Sequence, residues 1–595
     1  MSGALRASWL LLLVACSGTI RGGDGEGAGG GEDVGYPDGN LPEGDEPVTP
    51  TAQRLTIDEP ARGAMIPASS GDRVRVAGRV LEPDPGETLT IDGEEVAVGQ
   101  DGAFATEIAP RMGGNVIVAE LEGFPGARAQ RSFLYGSFAG ADDFVPAAAA
   151  LRINRDGFDD GDGEIDDMSS LVAAALRDRD LIKLLPASYS FNMAVVGNVS
   201  VDLTERTSGP AEVDLTPRAG GLHAVVRLPD VRVRHKLTFN CAITTCTPTG
   251  TATADAIEVS VEIDLSLDGE VLNAATHDAQ IDVVGFHNDE DGVLPSIAQT
   301  VVEFFVPDLE RRIEDLLRPA IADASRADTS LALGGLSVPA TIDLAPALDA
   351  TIEVEQRLDT LTFEDTGALV GLAARARGTF ESGDPGAGAP GWLEQGGETG
   401  GYRVEPPFGA SLALDLVNQI LFAAWGQGGL SRELPALGDL DLGTIAVTAL
   451  APPIIEPEGE AGGVRILAGD LRVVSTLDGA PIEIICSLVV HAELAMDAAG
   501  ERAIVSLSEG PLLYAEMIDG PTGVAGTVFT AIVEKLAPEA VAQLVGSVSL
   551  PVPSLPLDPV AASLAGKRMR IAPPAEFVTG EPAARMTLYG RFLAQ

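Results

Sequence analysis

The sequence predicts an α+β fold in which two pseudo-duplicated halves of long, twisted antiparallel sheet wrap around long helices, after a small all-β sandwich. Three observations predict this class: apolar and polar residues alternate over unusually long stretches, amphipathic helical segments separate these stretches, and both recur in the same order. Matching helical segments are offset by roughly 225 to 245 residues, which indicates an internal duplication. A chain of 595 residues is also too long for one hydrophobic core.

Residues 1–16 predict a bacterial lipoprotein signal peptide. Arg6 supplies positive charge, and the apolar segment from Trp9 to Ala15 is too short to span a bilayer. The sequence LVAC at Leu13–Cys16 resembles a lipobox, so Cys16 is the expected lipidation site, and several acyl chains there would anchor the protein stably. An ordinary secretory signal that contains a cysteine is the alternative. We expect a location in the bacterial cell envelope, on the outer membrane, the cell surface or the periplasmic face.

Two segments follow the signal. Residues 17–52 are rich in Gly, Asp, Glu and Pro and contain few large apolar side chains, so we expect a disordered tether. Residues 53–138 change to short alternating strands with turns at Asp92-Gly93 and Asp101-Gly102, which predicts a small β-sandwich. This segment is similar to the immunoglobulin-like modules of bacterial surface proteins. A spacer and a binding module are both open as its role.

The segment 154–167, NRDGFDDGDGEIDD, contains closely spaced carboxylates with intervening glycines, a pattern typical of calcium loops. The candidate ligands are Asp160, Asp162, Glu164 and Asp166. The fit is incomplete, because Phe158 occupies the first ligand position and Ser169 the position of the closing glutamate. The alternative is an acidic helix cap, in which Asp166 and Asp167 begin the next helix.

The region from 151 to 595 contains the long strands and the helices. Apolar residues occupy every second position from Ile257 to Leu267, which predicts a strand on the order of 35 Å long. The segments Val231–Phe239 and Met586–Phe592 repeat the alternation. One wet and one dry face indicate an antiparallel sheet that curls around an apolar interior.

Four amphipathic segments predict helices, beginning near residues 167, 302, 411 and 527. Strands follow each helix, so the order helix, strands, helix, strands occurs twice. We therefore expect a first half at 151–400 and a second half at 401–595. In each half, one helix should turn its apolar face toward the curled sheet.

The second half carries a family resemblance. The stretch LVNQILFAAWGQGGL at residues 416–430, and the stretch APPIIEP at residues 451–457, resemble the bactericidal permeability-increasing, lipopolysaccharide-binding and lipid-transfer proteins of the tubular lipid-binding fold. The resemblance covers roughly residues 151–595. It implies a boomerang of two halves joined by a central sheet, with an apolar pocket between helix and sheet that takes a phospholipid or another acylated molecule. The basic tip of the endotoxin-binding members has no counterpart here.

Site residues follow from this resemblance and from the helical faces. The candidates for lining a lipid pocket are Phe305, Leu309, Ile313, Leu412, Leu416 and Ile420. Cys241 and Cys246 are close together in an exported chain, which predicts a disulfide between them. Cys486 lies in an apolar run, so we expect a buried core residue.

The expected function is binding or carrying of lipid or another hydrophobic small molecule by a membrane-anchored protein. The alternative is a non-enzymatic cell-surface scaffold or adhesin. Asp and Glu outnumber Lys and Arg 88 to 39, and a net charge of -49 excludes nucleic acid as a partner. The sequence contains no G-x-S-x-G and no H-E-x-x-H, so we expect no enzyme, and no cofactor other than the candidate calcium.

Overall fold

The computed structural model describes residues 54–290, 340–343, 350–520 and 550–594. Short gaps fall within these ranges, at 85, 123–126, 178–180, 185–186, 195–196, 242–243, 270, 382, 397–400, 435–442, 459–462, 478, 497–501, 508–510, 552–553, 558–561 and 580–583. The predicted signal peptide, tether and Cys16 therefore lie outside the described residues. So do the helices predicted near residues 302 and 527.

The N-terminal module, residues 54–139, consists of two sheets packed around one apolar cluster. Its strands are β1 (Leu55–Glu59), β2 (Ala64–Pro67), β3 (Val74–Val80), β4 (Leu89–Ile91), β5 (Glu94–Val96), β6 (Ala103–Ile108), β7 (Gly113–Leu121) and β8 (Arg128–Ala139). One sheet has the order β1-β3-β6 and the other the order β2-β8-β7-β4-β5. The immunoglobulin-like character of this module stays a prediction.

The next part of the chain contains the first-half sheet, four strands of a central sheet and one strand that pairs with β8. Its elements are β9 (Val145–Asn154), α1 (Arg155–Phe158), α2 (Met168–Arg177), β10 (Ser188–Met193), β11 (Gly197–Thr207), β12 (Glu212–Arg218), β13 (Gly221–Cys241), β14 (Thr244–Cys246), β15 (Thr249–Asp268), β16 (Val271–Val284), β17 (His287–Glu290), β18 (Ala340–Asp343), β19 (Thr351–Glu364), β20 (Gly367–Arg377) and β21 (Trp392–Glu394). Strands β10 to β17 make the first-half sheet, with the path β10-β11-β13-β15-β16.

The remaining elements form the second-half sheet and complete a shared one. They are β22 (Phe408–Ala413), α3 (Leu414–Gly426), β23 (Arg432–Leu434), β24 (Ile445–Ala449), β25 (Ile454–Pro457), β26 (Gly463–Leu477), β27 (Ala480–Met496), β28 (Arg502–Leu507), β29 (Leu512–Asp519), β30 (Leu550–Pro551), β31 (Ser554–Pro556), β32 (Arg568–Thr579) and β33 (Arg585–Ala594). Strands β23 to β30 make the second-half sheet, with the path β23-β24-β26-β27-β28-β30.

A central sheet joins the two halves. Its order is β18-β19-β20-β9-β22-β33-β32-β31, so four strands come from each half. Arg585, the first residue of β33, is fully buried within the central sheet. Its Nε donates to the Ser411 hydroxyl at 3.0 Å and its Nη2 donates to the carbonyl of Ala147. This one guanidinium therefore connects β33, β22 and β9. The buried ladder satisfies its backbone polar groups through these antiparallel neighbours.

The predicted long strands are confirmed. The alternating segment from Ile257 to Leu267 lies within β15, which has 20 residues, and the segment Val231–Phe239 lies within β13, which has 21. The C-terminal alternation forms β33, where Gly590 pairs with Phe408 and does not interrupt the strand. Successive side chains of a strand face opposite sides of the sheet, so the alternating apolar residues of each segment lie together on one side.

The predicted fold class is wrong in its helices. The described residues are 63% strand and 9% helical, and the three helices among them have 4, 10 and 13 residues. Over the described part of the chain, the architecture is a β-rich fold rather than sheets wrapped around long helices. The helix expected from residue 411 begins only at Leu414, because Phe408–Ala413 pairs as β22 with β9 and β33. Within the described ranges, no helix has the length and apolarity needed to cross a bilayer.

A bulge in β26 directs a buried carboxylate at the N-terminal module. The pairing of β26 with β27 slips between Ala468 and Leu471, and Asp470 takes a left-handed conformation with a φ of 44°. The Asp470 carboxylate accepts hydrogen bonds from the backbone amides of Gly63 at 3.0 Å and Ser132 at 3.3 Å. The bulge therefore joins β8 of the module to the second-half sheet.

Further polar contacts surround Asp470. The Arg62 guanidinium lies 3.8 Å from its carboxylate and 2.9 Å from that of Glu516, and the Ser487 hydroxyl donates to the Gln130 side chain at 2.8 Å. Burial raises the pKa of Asp470 from its ordinary value, while the Gly63 amide and the nearby arginines oppose this rise. We call this group of contacts the module seam, and it holds the N-terminal module against the second half.

Candidate functional sites

The inner face of the first-half sheet is a long aliphatic surface. The buried side chains along it come from alternate positions of neighbouring strands: Val199, Val201, Leu203, Leu228, Val231, Val233, Leu237, Phe239, Ala252, Ala254, Ile257, Val259 and Ile281. Residues outside the strands that pack against this face include Leu176, Leu181 and Ile182. The opposite face carries polar side chains, such as Arg232 and Glu258.

This sheet is bent as well as long. Strands β13, β15 and β16 have 21, 20 and 14 residues, so they extend roughly 45 to 70 Å. Asp230 and Asp278 take positive φ values of 54° and 51°, and the register slips between Ser260 and Glu262. Bulges and left-handed residues increase the local twist of a strand. The aliphatic face therefore lies on one side of an elongated, twisted sheet.

A second feature is an open groove of about 530 Å³ between the N-terminal module and the second half, with a lining that is about half polar. Met65, Pro385, Trp425 and Leu450 contribute apolar walls, and the Trp425 indole donates its N–H to the carbonyl of Ala449 at 2.9 Å. The volume lies within the usual range of about 300–1,000 Å³ for small-molecule sites. The sequence offered no signal for this groove, because its walls come from four distant segments.

The predicted pocket residues of the second half pack near this groove but do not line it. Leu416 is 7% exposed in an apolar cluster with Phe422 and Trp425, and Ile420 packs against the same cluster. Leu412, on β22, contacts that cluster and also the cluster beneath the second-half sheet. The pocket residues predicted in the first half, Phe305, Leu309 and Ile313, lie outside the described residues.

The acidic loop before α2 brings three carboxylates together. One carboxylate oxygen from each of Asp160, Asp162 and Asp166 lies within 4.8 Å of the other two. Asp160 and Asp162 are exposed, whereas Asp166 is only 7% exposed and its Oδ1 has no hydrogen-bond partner. Glu164, the fourth predicted ligand, is exposed and lies outside this group.

The two adjacent aspartates at the start of α2 have different roles. Asp167 caps the helix, since its Oδ1 accepts a hydrogen bond from the Ser170 amide at 2.7 Å and its Oδ2 accepts one from the Asp160 amide at 3.1 Å. Asp166 instead turns its carboxylate toward Asp160 and Asp162. The helix-cap interpretation therefore accounts for Asp167 alone.

The electrostatics of Asp166 reflect this crowding. Burial, and then the negative charges of Asp160, Asp162, Asp167 and Glu164, raise the pKa of Asp166 to about 6. The first and last ligand positions of the predicted calcium loop, Phe158 and Ser169, make other contacts. Phe158 is buried in the apolar cluster beneath α2, and the Ser169 hydroxyl accepts the Leu215 amide at 2.9 Å.

The cysteines occupy separate places. Cys241 pairs with Thr244 and Cys246 with Phe239 across the β13–β14 hairpin, so the two cysteines lie two ladder positions apart. Their disulfide stays a prediction. Cys486 is a free thiol on β27, where burial raises its pKa to about 12 and its Sγ lies 3.7 Å from the carbonyl of Leu471.

Comparisons with known proteins give structural similarities only. No protein-family model and no curated protein matches this sequence. A crystal structure of lipopolysaccharide binding protein is similar with a TM-score of 0.44 and 14% identity, over 76% of this chain and 99% of that one. The crystal structure of P47 of Clostridium botulinum E1 has a TM-score of 0.28 and 8% identity, over 75% and 99%. P47 from Clostridium botulinum A2 has a TM-score of 0.27 and 9% identity, over 74% and 96%.

Proposed function

We propose that this chain binds lipid, holding acyl chains or another hydrophobic ligand against the inner face of the first-half sheet without catalysing a reaction. The supporting observation is that face: aliphatic side chains follow strands of 14 to 21 residues along one side of a long sheet. Typical strands have about 5–6 residues, which is enough to close a compact core. An aliphatic lining several times longer suits an extended apolar ligand.

The energetics of such binding need no specific polar contact. Each methylene group removed from water contributes about 0.8 kcal/mol, so about ten buried methylenes supply about 8 kcal/mol before the entropic cost of immobilising the ligand. The lining is mainly aliphatic, with Phe239, Tyr189 and Phe191 as aromatic members and His235 as a buried polar one, and this composition suits hydrocarbon better than a sugar or a nucleotide. The sequence resemblance of residues 416–430 and 451–457 to tubular lipid-binding proteins supports the same class of ligand.

Lipid bound to the purified protein tests this proposal. We expect native mass spectrometry and solvent extraction of the chain lacking residues 1–16 to show copurified lipid, or uptake of phosphatidylcholine from vesicles. The Val233→Trp substitution places a large ring on the aliphatic face, so the amount of bound lipid should fall. Arg232→Trp is the matched control, because Arg232 directly precedes Val233 in β13 and is exposed on the opposite face.

Two outcomes would contradict the proposal. A wild-type protein that carries no lipid and takes up none from vesicles would favour the alternative of a surface scaffold or adhesin. A folded Val233→Trp protein with an undiminished lipid content would exclude this face as the binding site. Thermal unfolding of both variants shows whether the added ring overpacks the interior, which costs about 1–3 kcal/mol.

We also propose that Cys16 attaches the protein to a bacterial membrane. Cys16→Ser should abolish incorporation of labelled fatty acid, because the thiol that carries the diacylglyceryl group is absent, and the protein should leave the membrane fraction. The measurement is acyl labelling followed by fractionation of cells. Labelling that persists in Cys16→Ser would refute the anchor at this residue and leave an ordinary secretory signal.

A further inference from the structure

The acidic loop at 159–167 combines two independent features. Its three carboxylates, from Asp160, Asp162 and Asp166, converge to within 4.8 Å, although like charges repel at such distances. In addition, Asp166 is more than nine-tenths buried, its carboxylate faces this group, and its Oδ1 has no hydrogen-bond donor. A buried charged oxygen without a partner is costly, and a bound cation would offset both this cost and the repulsion between the carboxylates.

We propose that Asp160, Asp162 and Asp166 bind one calcium ion. Calcium takes oxygen ligands at about 2.3–2.6 Å, so two ligand atoms on opposite sides of the ion lie about 4.6–5.2 Å apart. A separation within 4.8 Å lets one ion reach all three carboxylates. The exposure of Asp160 and Asp162 leaves one side of the site open to water, which completes the six to eight ligands.

The site differs from an EF-hand. Buried Phe158 supplies no ligand at the first position, and the Ser169 hydroxyl is engaged by the Leu215 amide at the last. Magnesium suits the site less well, since its bonds of about 2.0–2.1 Å and strict octahedral geometry require ligand atoms closer together. We expect a calcium dissociation constant of about 10⁻⁴–10⁻³ M, the range of extracellular calcium modules.

Calcium at this loop would act on the junction between two sheets. The loop leads directly into α2, whose Leu171, Ala173 and Ala174 pack in a cluster with residues of both the first-half sheet and the central sheet. An ion that holds the loop therefore fixes the start of this helix. Because calcium binds the folded protein and not the unfolded chain, it should raise the temperature of thermal unfolding.

Isothermal titration and thermal unfolding of the chain lacking residues 1–16, in EDTA-treated buffer with added CaCl₂, test the proposal. We expect saturable binding of one ion and a rise in unfolding temperature that equal MgCl₂ does not give. Asp166→Asn should weaken calcium binding about tenfold or more, since affinity follows the number of charged ligands. Glu164→Gln is the matched control, because it removes one negative charge from the same loop but from outside the group of three.

The outcomes separate a specific site from general screening of a chain with a net charge of -49. Equal effects of CaCl₂ and MgCl₂, or equal losses of calcium affinity in Asp166→Asn and Glu164→Gln, would overturn the proposal. If Asp166→Asn does not fold, the exposed pair Asp160→Asn and Asp162→Asn replaces it. Undiminished calcium binding in that double variant would also overturn the proposal.

Discussion

Replacing Asp470 with alanine is expected to destabilise the module seam by about 3–5 kcal/mol. The carboxylate is fully buried and accepts hydrogen bonds from the amides of Gly63 and Ser132, with the Arg62 guanidinium 3.8 Å away. Its removal leaves the buried Ser132 amide and the half-buried Gly63 amide without this acceptor, and the Arg62 guanidinium with one carboxylate instead of two. Alanine also tolerates the left-handed conformation at this bulge less well than aspartate does.

Urea denaturation followed by tryptophan fluorescence measures this effect. Trp392 reports on the boundary of the module, because β21 pairs with β8 and the Trp392 indole donates to the carbonyl of Gly140 at 3.0 Å. Glu483→Ala is the control, since Glu483 forms an exposed ion pair with Arg472 that contributes at most about 1 kcal/mol. Equal unfolding midpoints in the two variants would show that the seam does not hold the module.

Replacing Phe408 with alanine is expected to destabilise the central sheet by about 3–5 kcal/mol, the usual cost of this substitution in a core. Phe408 is 1% exposed on β22, opposite Ile153 of β9 and Gly590 of β33, and its ring centroid lies 4.0 Å from that of Phe592. The cavity would therefore open where strands of both halves meet. Thermal unfolding should show a lower transition temperature for both halves together.

Val404→Ala is the control for this prediction. Val404 is a nearby exposed apolar residue, so its truncation should change stability by less than about 0.5 kcal/mol. A Phe408→Ala protein in which one half unfolds early while the other keeps its wild-type transition would contradict the view of β22 as the joint between the halves. Hydrogen exchange of amides in β9, β22 and β33 distinguishes the two results.

Strands with one wet face were predictable from sequence, and strands covered on both faces were not. In β15 polar residues alternate with Ile257, Val259 and Val261, because one side of the sheet meets water. The strand β9 is buried on nearly every side and contains four consecutive alanines, so it has no period of two and was not predicted. The four-residue spacing of Leu412 and Leu416 matched the spacing along one face of a helix. Leu412, however, lies in the strand β22, and only Leu416 lies in the helix α3.

The candidate sites were predictable only in part, for a similar reason. Carboxylates clustered in sequence predicted the acidic loop, but sequence could not distinguish Asp166, which faces the group of three, from Asp167, which caps α2. The module seam gave no signal at all. Ser132 and Asp470 are 338 residues apart, and each is a polar residue of a kind that strands usually expose to water.

The order of strands in the central sheet has a consequence for how the chain is made. Synthesis delivers β9 and then β22, which pairs with β33 only after the rest of the chain has been made; the Arg585–Ser411 hydrogen bond joins residues 174 positions apart. Until β33 emerges, β22 presents an unpaired edge that can capture a strand from another chain. Closure of the sheet is thus a late event of high contact order, and a nascent chain halted before β33 is expected to be a substrate for chaperones and proteases.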